Sequence, residues 1–308
     1  MFGAIGRLFK KIWMLGEFIK FSHTVFALPF ALSAMIVAAR ENRGFPGWRT
    51  FLLILSAMVC ARTCAMSFNR IADRVYDALN PRTANRHLPS GKISLAAAWT
   101  LCIVSGVGLI VVSYFINKIC FYLSPVALFV ICFYSFTKRF THYSHFFLGL
   151  ALALAPTGAW LAVRGTNLNF QDILGMITLG AAVVFWLVGF DIIYAIQDYE
   201  FDKTHGLHSL VVAWGPKNAL IASFLSHMFM WVLLCLFGLI FRFRLVYAGG
   251  LFIIIVCLVM EHFLARRRTI YWINVAFFRL NALISIVFLV IVAAEVFFER
   301  GFVFRIPE

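Results

Sequence analysis

Nine long apolar runs set the terms for this chain. They cover residues 19–39, 48–68, 93–115, 119–136, 143–163, 173–196, 218–241, 245–264 and 275–298. A helix needs about 20 apolar residues to cross a hydrocarbon core of about 30 Å, and each run is near that length. Lipid offers the backbone no hydrogen-bond partners, so only helices and closed barrels span a membrane. A barrel would show short segments of alternating polarity, whereas these runs are continuous. The chain is 63% hydrophobic and only 13% charged, well outside the roughly half-apolar composition of soluble domains. The expected fold is an all-α integral membrane protein with about nine transmembrane helices, residues 19–308 forming one polytopic domain.

Residues 1–18 read differently. Phe2, Ile5, Leu8, Phe9, Ile12, Trp13 and Leu15 interleave with Arg7, Lys10 and Lys11, the pattern of an amphipathic helix lying on a membrane surface. A cleavable signal peptide is the poorer reading, because the first long run lacks a clear small-residue cleavage site and leads straight into further spans.

The formal net charge of +14 would suggest nucleic acid in a soluble protein. Here the placement of the charges matters more than their sum. With nine spans and the N-terminus inside, the inner loops and the adjoining span ends hold 17 of the 27 Lys and Arg residues, so the bias favours N-inside and C-outside. The positive charge needs no nucleic-acid partner to explain it, and Arg266, Arg267 and Arg268 read as membrane anchors. The seven cysteines are scattered and mostly within spans, with no CxxC pair, and read as small packing residues. His205 and His208 are too few for a zinc site.

Aspartate is scarce and concentrated. Of six Asp, five fall in two short segments, "NRIADRVYD" and "DIIYAIQDYEFD", which end the second and sixth runs. An even number of crossings separates those ends, so both clusters emerge on one membrane face. Asn69, Asp73 and Asp77 recur every four residues and share a helix face; Asp198 and Asp202 are also four apart, and Asp191 precedes Asp198 by seven. Either cluster alone could be a solvated helix end paired with Arg70, Arg74 or Lys203. Two clusters of repelling carboxylates on one face argue for a bound cation. Carboxylates and an amide, with no His or Cys in the pattern, favour Mg²⁺, which commonly shares its ligands with a phosphate. Two or more Mg²⁺ clamping a diphosphate would suit this spacing.

Basic residues lie beside the acids. The loop "NPRTANRHLPSGK" carries Arg82 and Arg86, and "YSFTKRF" places Tyr134 and Lys138 four apart on the same face. They could contact phosphate oxygens the metals leave free, or Lys138 could be an ordinary positive-inside anchor. Arg62 sits inside the second span, where a guanidinium needs an anion or a wet cavity. It either pairs with Asp191 as a structural salt bridge or binds the carboxylate of a substrate held between the helices.

These two segments, with the opening "IKFSHTVFALPFAL", resemble the signature regions of the UbiA superfamily of intramembrane prenyltransferases, in particular its 4-hydroxybenzoate polyprenyltransferase-like branch. The resemblance runs from about residue 16 to the last span. Arg70 follows Asn69 where many members have Asp, and the context "RTCAMSFNRIADR" is similar to relatives that prenylate a dihydroxynaphthoate. The resemblance implies nine helices around a central cavity whose mouth faces the cytoplasm from the inner membrane. It implies that Asn69, Asp73, Asp77, Asp198 and Asp202 hold Mg²⁺ on a polyprenyl diphosphate, that Arg82, Arg86, Tyr134 and Lys138 contact the diphosphate, and that Arg62 and Asp191 serve a small aromatic acid as acceptor. The expected activity is Mg²⁺-dependent polyprenyl transfer in respiratory quinone biosynthesis, on 4-hydroxybenzoate or alternatively on a dihydroxynaphthoate in the menaquinone route, with membrane lipid around the protein. A divalent-cation transporter is the rival from another class, although the acids gather near one face and no Gly/Pro-broken helix pair marks a midplane site.

Overall fold

The computed structural model describes residues 13–20, 24–266, 272–273 and 275–298. Most of the expected interfacial helix (residues 1–12), along with Arg267 and Arg268, lies outside them. Residues 13–18 are helical, with Trp13 exposed and Phe18 buried.

The apolar runs become helices in the expected order. They are α1 (Thr24–Ala38), α2 (Trp48–Ala72), a short α3 (Arg74–Leu79), α4 (Leu95–Ile116), α5 (Lys118–Thr137), α6 (Ser144–Arg164), α7 (Phe170–Ala195), a short α8 (Tyr199–Thr204), α9 (Leu210–Phe241), α10 (Leu245–Ala265) and α11 (Asn281–Phe298). Among the described residues eight helices are long and apolar enough to cross a membrane, and α1, at 15 residues, is a shorter apolar ninth. Polar caps mark several starts: Ser94, Asn117 and Ser209 each accept a backbone N–H from the first turn, and Asn169 forms a capping box with Asp172. The seventh run extends further back than its apolar stretch because α9 absorbs a kink at Gly215, whose φ of 74° precedes Pro216.

Side-chain bonds sort the loops into two ends of the bundle. At one end Arg40 binds Asp172 at 2.9 Å, and Arg164 binds both Asp172 at 2.8 Å and Glu41 at 3.0 Å. Asp172, the aspartate outside both motifs, is therefore the buried centre of a structural ion-pair lock. At the other end Asn80 Nδ2 donates to Asp198 and the His208 amide donates to the Lys138 carbonyl. The loops after α2, α5 and α7 thus meet at one end, as counting crossings requires.

Packing divides the spans into two groups. Helices α2, α4, α5 and α6 form one, and α7, α9, α10, α11 and α1 the other, with α6 packed against α7 and α1. Close approach of α7 and α9 depends on Gly189, where an added Cβ would stand 2.1 Å from the His227 ring. Two cavities lie within this arrangement.

Candidate functional site

The polar cavity, about 290 Å³, opens where the two motif-bearing helix ends face one another. All eleven residues singled out from the sequence line it: Arg62, Asn69, Asp73, Asp77, Arg82, Arg86, Tyr134, Lys138, Asp191, Asp198 and Asp202. A second cavity of similar size is almost wholly apolar, walled by α1, α2, α4, α5 and α6 through residues such as Ile54, Leu109, Ile116, Leu152 and Leu161. Arg62, Tyr134, Leu148 and Leu152 border both cavities.

The first motif does not lie on one unbroken helix. α2 ends at Ala72 and α3 starts at Arg74, yet the Asp73 amide still reaches the Asn69 carbonyl and the Asp77 amide the Asp73 carbonyl. This four-residue bonding keeps Asn69, Asp73 and Asp77 on one face through the break. Asn69 Nδ2 donates to Asp73 Oδ2 at 2.9 Å. In the second motif a 3₁₀ turn over Ile196–Asp198 tightens the chain before α8, and Asp198 and Asp202 are both buried.

Cations interleave with the acids. Arg86 Nη1 lies 2.6 Å from Asp77 Oδ1, and Arg70 Nη1 lies 3.7 Å from Asp77 Oδ2. Arg82 Nε donates to Asp198 Oδ1 at 2.8 Å and its Nη1 to Tyr194 Oη at 2.7 Å. Lys138 Nζ stands 3.5 Å from Asp202 Oδ2. Desolvation works against the Lys138 ammonium, but Asp202, Asp191, Asp198 and Asp73 together hold its pKa above the ordinary value. Desolvation, followed by the charge of Asp77, lifts Asp73 to about 6.

Among the described residues no three His, Cys, Asp or Glu side chains form a ready-made metal centre. The carboxylates are instead neutralised by Arg and Lys. They nevertheless suit a hard cation: Asp77 Oδ2 and Asp202 Oδ2, one from each motif, are buried without a hydrogen-bond partner among the described residues. Each has only a longer ion-pair contact, to Arg70 or Lys138, and a divalent ion would supply the close ligand contact it lacks.

Arg62 and Asp191 are not partners of each other. Asp191 Oδ2 is 2.6 Å from His145 Nδ1, while Arg62 makes a 3.4 Å contact with the Lys20 carbonyl and its Nε is buried without a partner among the described residues. Of the two readings of Arg62, the internal salt bridge with Asp191 is not formed.

Four further residues join the site. Lys20 lines the polar cavity with its ammonium 5.9 Å from the centre of the Tyr194 ring. Desolvation, then Arg70, Arg86, Arg82 and Arg62, bring its pKa down to about 7. Arg70, read from the sequence as a neutralising neighbour, is buried against Asp77 and belongs to the cavity wall. Arg139, the neighbour of Lys138, donates to the Ala72 carbonyl at 2.6 Å and lies 3.9 Å from Asp73. His145 bore no sequence signal, being a single imidazole at the start of an apolar helix.

The model of the UbiA prenyltransferase family matches residues 27–290. The 4-hydroxybenzoate octaprenyltransferase of Vibrio vulnificus (strain CMCP6) is 28% identical over 250 residues, which is 79% of this chain and 85% of that protein. The protein of the same name from Pseudomonas aeruginosa (strain UCBPP-PA14) is 30% identical over 228 residues, 73% of this chain and 74% of its own length. Among solved structures, the apo UbiA homolog from Aeropyrum pernix K1 has a TM-score of 0.77 at 30% identity, covering 86% of this chain and 95% of that one. A UbiA homolog from Archaeoglobus fulgidus bound to DMAPP and Mg²⁺ has a TM-score of 0.67 over 90% of this chain and 98% of that one; at 21% identity it speaks for the fold.

Proposed function

Given that the chain belongs to the UbiA prenyltransferase family, we propose that it transfers a polyprenyl group from a polyprenyl diphosphate to a small aromatic carboxylic acid of the 4-hydroxybenzoate type. One observation carries this reading. A chamber rich in cations and carboxylates adjoins an apolar chamber, and the two share Arg62, Tyr134, Leu148 and Leu152 in their walls. A molecule with a diphosphate head and a hydrocarbon tail fits that division, with its reactive carbon at the border.

In this reading Arg82, Arg86 and Lys138 receive the diphosphate oxygens, with Arg70 and Lys20 adding positive charge behind them. Asn69, Asp73, Asp77, Asp198 and Asp202 would hold Mg²⁺, which would supply charge neutralisation for the departing pyrophosphate. Tyr134 stands at the border, next to the allylic carbon. Arg62, which has no anionic partner among the described residues, takes the acceptor carboxylate and so presents the ring. The ring carbon ortho to the phenol bonds to the prenyl carbon as the bond to diphosphate breaks. The ring proton then leaves to Asp191, restoring aromaticity. The apolar lining keeps water from capturing the cation-like prenyl carbon.

Family membership argues against the transporter alternative, and the names of the similar proteins favour 4-hydroxybenzoate over a dihydroxynaphthoate. The loop charges support placement in the inner membrane with the polar cavity facing the cytoplasm. The test is prenyl transfer by purified protein in detergent with Mg²⁺, radiolabelled octaprenyl diphosphate and each acceptor in turn. Product with 4-hydroxybenzoate that disappears with EDTA and in Asp73→Ala is the expected result. Product with the naphthoate alone would move the protein to the other pathway, and none with either acceptor would overturn the reading.

A further inference from the structure

His145 has no place in the chemistry described so far, yet it makes the closest contact to Asp191. Its ring is fully buried, its Nδ1 lies 2.6 Å from Asp191 Oδ2, and its Nε2 has no hydrogen-bond partner among the described residues. A carboxylate oxygen only accepts, so Nδ1 carries the proton of this bond, and Nε2 is left buried without a partner among the described residues. Burying such a group is costly, and a side chain present only to fill space would avoid that cost. One helical turn along α6, an added Cβ on Gly149 would stand 3.0 Å from the Val184 carbonyl, so α6 and α7 approach at backbone contact beside the pair. Asp191 lies on α7 and faces the polar cavity, and its other oxygen, Oδ1, makes no hydrogen bond to the described residues.

We propose that His145 is a positioning residue for the transfer reaction: its Nδ1–H fixes Asp191 across the α6–α7 contact, so that Oδ1 is presented to the acceptor ring. The inference rests on the transferase reading. His145 touches neither substrate; it acts through Asp191. In the balanced step, the ring carbon gains a bond to the prenyl carbon, the prenyl carbon loses its bond to diphosphate, and the displaced ring proton passes to Asp191 Oδ1. A carboxylate free to rotate would meet that proton less often, which lowers turnover without weakening the grip on the prenyl diphosphate.

The test compares His145→Leu, His145→Asn, His145→Gln, Asp191→Asn and the double variant His145→Leu/Asp191→Asn with wild type, by steady-state transfer and thermal melting in detergent. Loss of the Nδ1 donor in His145→Leu is expected to lower kcat roughly ten- to a hundred-fold, with the KM for the prenyl diphosphate within about two-fold of wild type. Asn places an amide N–H near the Nδ1 position and is expected to restore most of the rate. Gln places it near Nε2 and is not. The double variant is expected to be no slower than Asp191→Asn, because both changes remove one device. Full activity in His145→Leu overturns the inference, as do equal losses in Asn and Gln or losses that multiply in the double variant. If His145→Leu does not fold, the contrast between Asn and Gln decides. A wild type that forms no product overturns the transferase reading and this inference with it, whereas an active wild type matched by His145→Leu overturns the inference alone.

Discussion

Arg82 and Asp198 are joined by a bidentate contact, with Nε 2.8 Å from Oδ1 and Nη2 2.5 Å from Oδ2. One guanidinium thus ties the loop behind the first motif to the helix end carrying the second, and the Tyr194 hydroxyl accepts from its remaining nitrogen. Partner bonds outweigh desolvation here, so the Arg82 pKa rises above its ordinary value.

Arg82→Ala should therefore damage both stability and binding. Loss of a charged hydrogen-bond pair of this kind costs about 1.5–3 kcal/mol, and the melting temperature should fall by several degrees. Pyrophosphate affinity in the presence of Mg²⁺, measured by calorimetry, should fall more than ten-fold, by the order of one to two charge-assisted bonds. Arg82→Lys should recover part of the stability and less of the affinity, because a single ammonium cannot grip both oxygens.

Lys20 should report anion binding as a proton. With its pKa near 7 the side chain is mostly neutral at pH 8, because burial and four arginines oppose its charge. A bound diphosphate reverses that field and draws the pKa back up, so binding at pH 8 should take up close to one proton, or about 0.9 if recharging is complete. Calorimetry in two buffers of different ionisation enthalpy measures the uptake directly. Lys20→Met should abolish it, and wild-type binding without proton uptake would contradict the assignment.

Asp73 should cost the metal-free protein stability. Its folded-state pKa, near 6, lies above the ordinary value of 3.8. The folded state therefore holds this proton more tightly between those two values. The contribution favours folding at low pH, fades as pH rises through the window, and leaves a net cost above it. In EDTA, Asp73→Asn should melt higher than wild type at pH 7.5, with the gain vanishing near pH 4, while transfer activity is lost. A lower melting temperature at pH 7.5 would show that the carboxylate is supporting the fold.

Arg62→Ala should separate the two substrates. It should raise the KM for the aromatic acid roughly ten- to a hundred-fold and leave that for the prenyl diphosphate within about two-fold, the signature of a contact to one ligand only. Equal effects on both would place Arg62 with the diphosphate.

Gly189→Ala tests the fold instead of the site. The new methyl would meet the His227 ring, which is fully buried and hydrogen-bonded to His262 at 2.9 Å. Overpacking of this kind costs typically about 1–3 kcal/mol, and here it pushes apart α7 and α9. Reduced yield of monodisperse protein on size exclusion and a lower melting temperature are expected, whereas Gly158→Ala, with open space at its Cβ, should behave as wild type.

Much of this architecture was legible in the amino-acid sequence because the membrane enforces simple rules. Span length comes from bilayer thickness, and parity of crossings put the ends of α2 and α7 on one side before any packing was known. The four-residue spacing of Asn69, Asp73 and Asp77 placed them on one face, which holds even though the helix breaks at Asp73. What stayed hidden depends on packing between distant segments. His145 and Asp191 are 46 residues apart and meet only because α6 and α7 touch. Arg70 read only as a neutralising neighbour of the acids, and Lys20 carried no signal of its own; their membership of the cavity depends on how α1 and α2 are placed. Arg62 offered two partners on paper, and the choice fell to the imidazole that claimed Asp191 first.

The ion-pair lock of Arg40, Asp172, Arg164 and Glu41 has a bearing on the cell's energy supply. It closes the end of the bundle opposite the polar cavity, and the apolar walls at Ile54, Leu109, Ile116 and Leu161 lie between. Among the described residues that lining is mostly apolar, and a bare ion crossing such a lining meets a cost of at least about 2.5–3.5 kcal/mol. A membrane at 100 mV stores about 2.3 kcal/mol for each elementary charge held apart. A deep, charged hollow in such a membrane is a potential short circuit, and the apolar wall with the ion-pair lock behind it is the part of this fold that would keep it sealed.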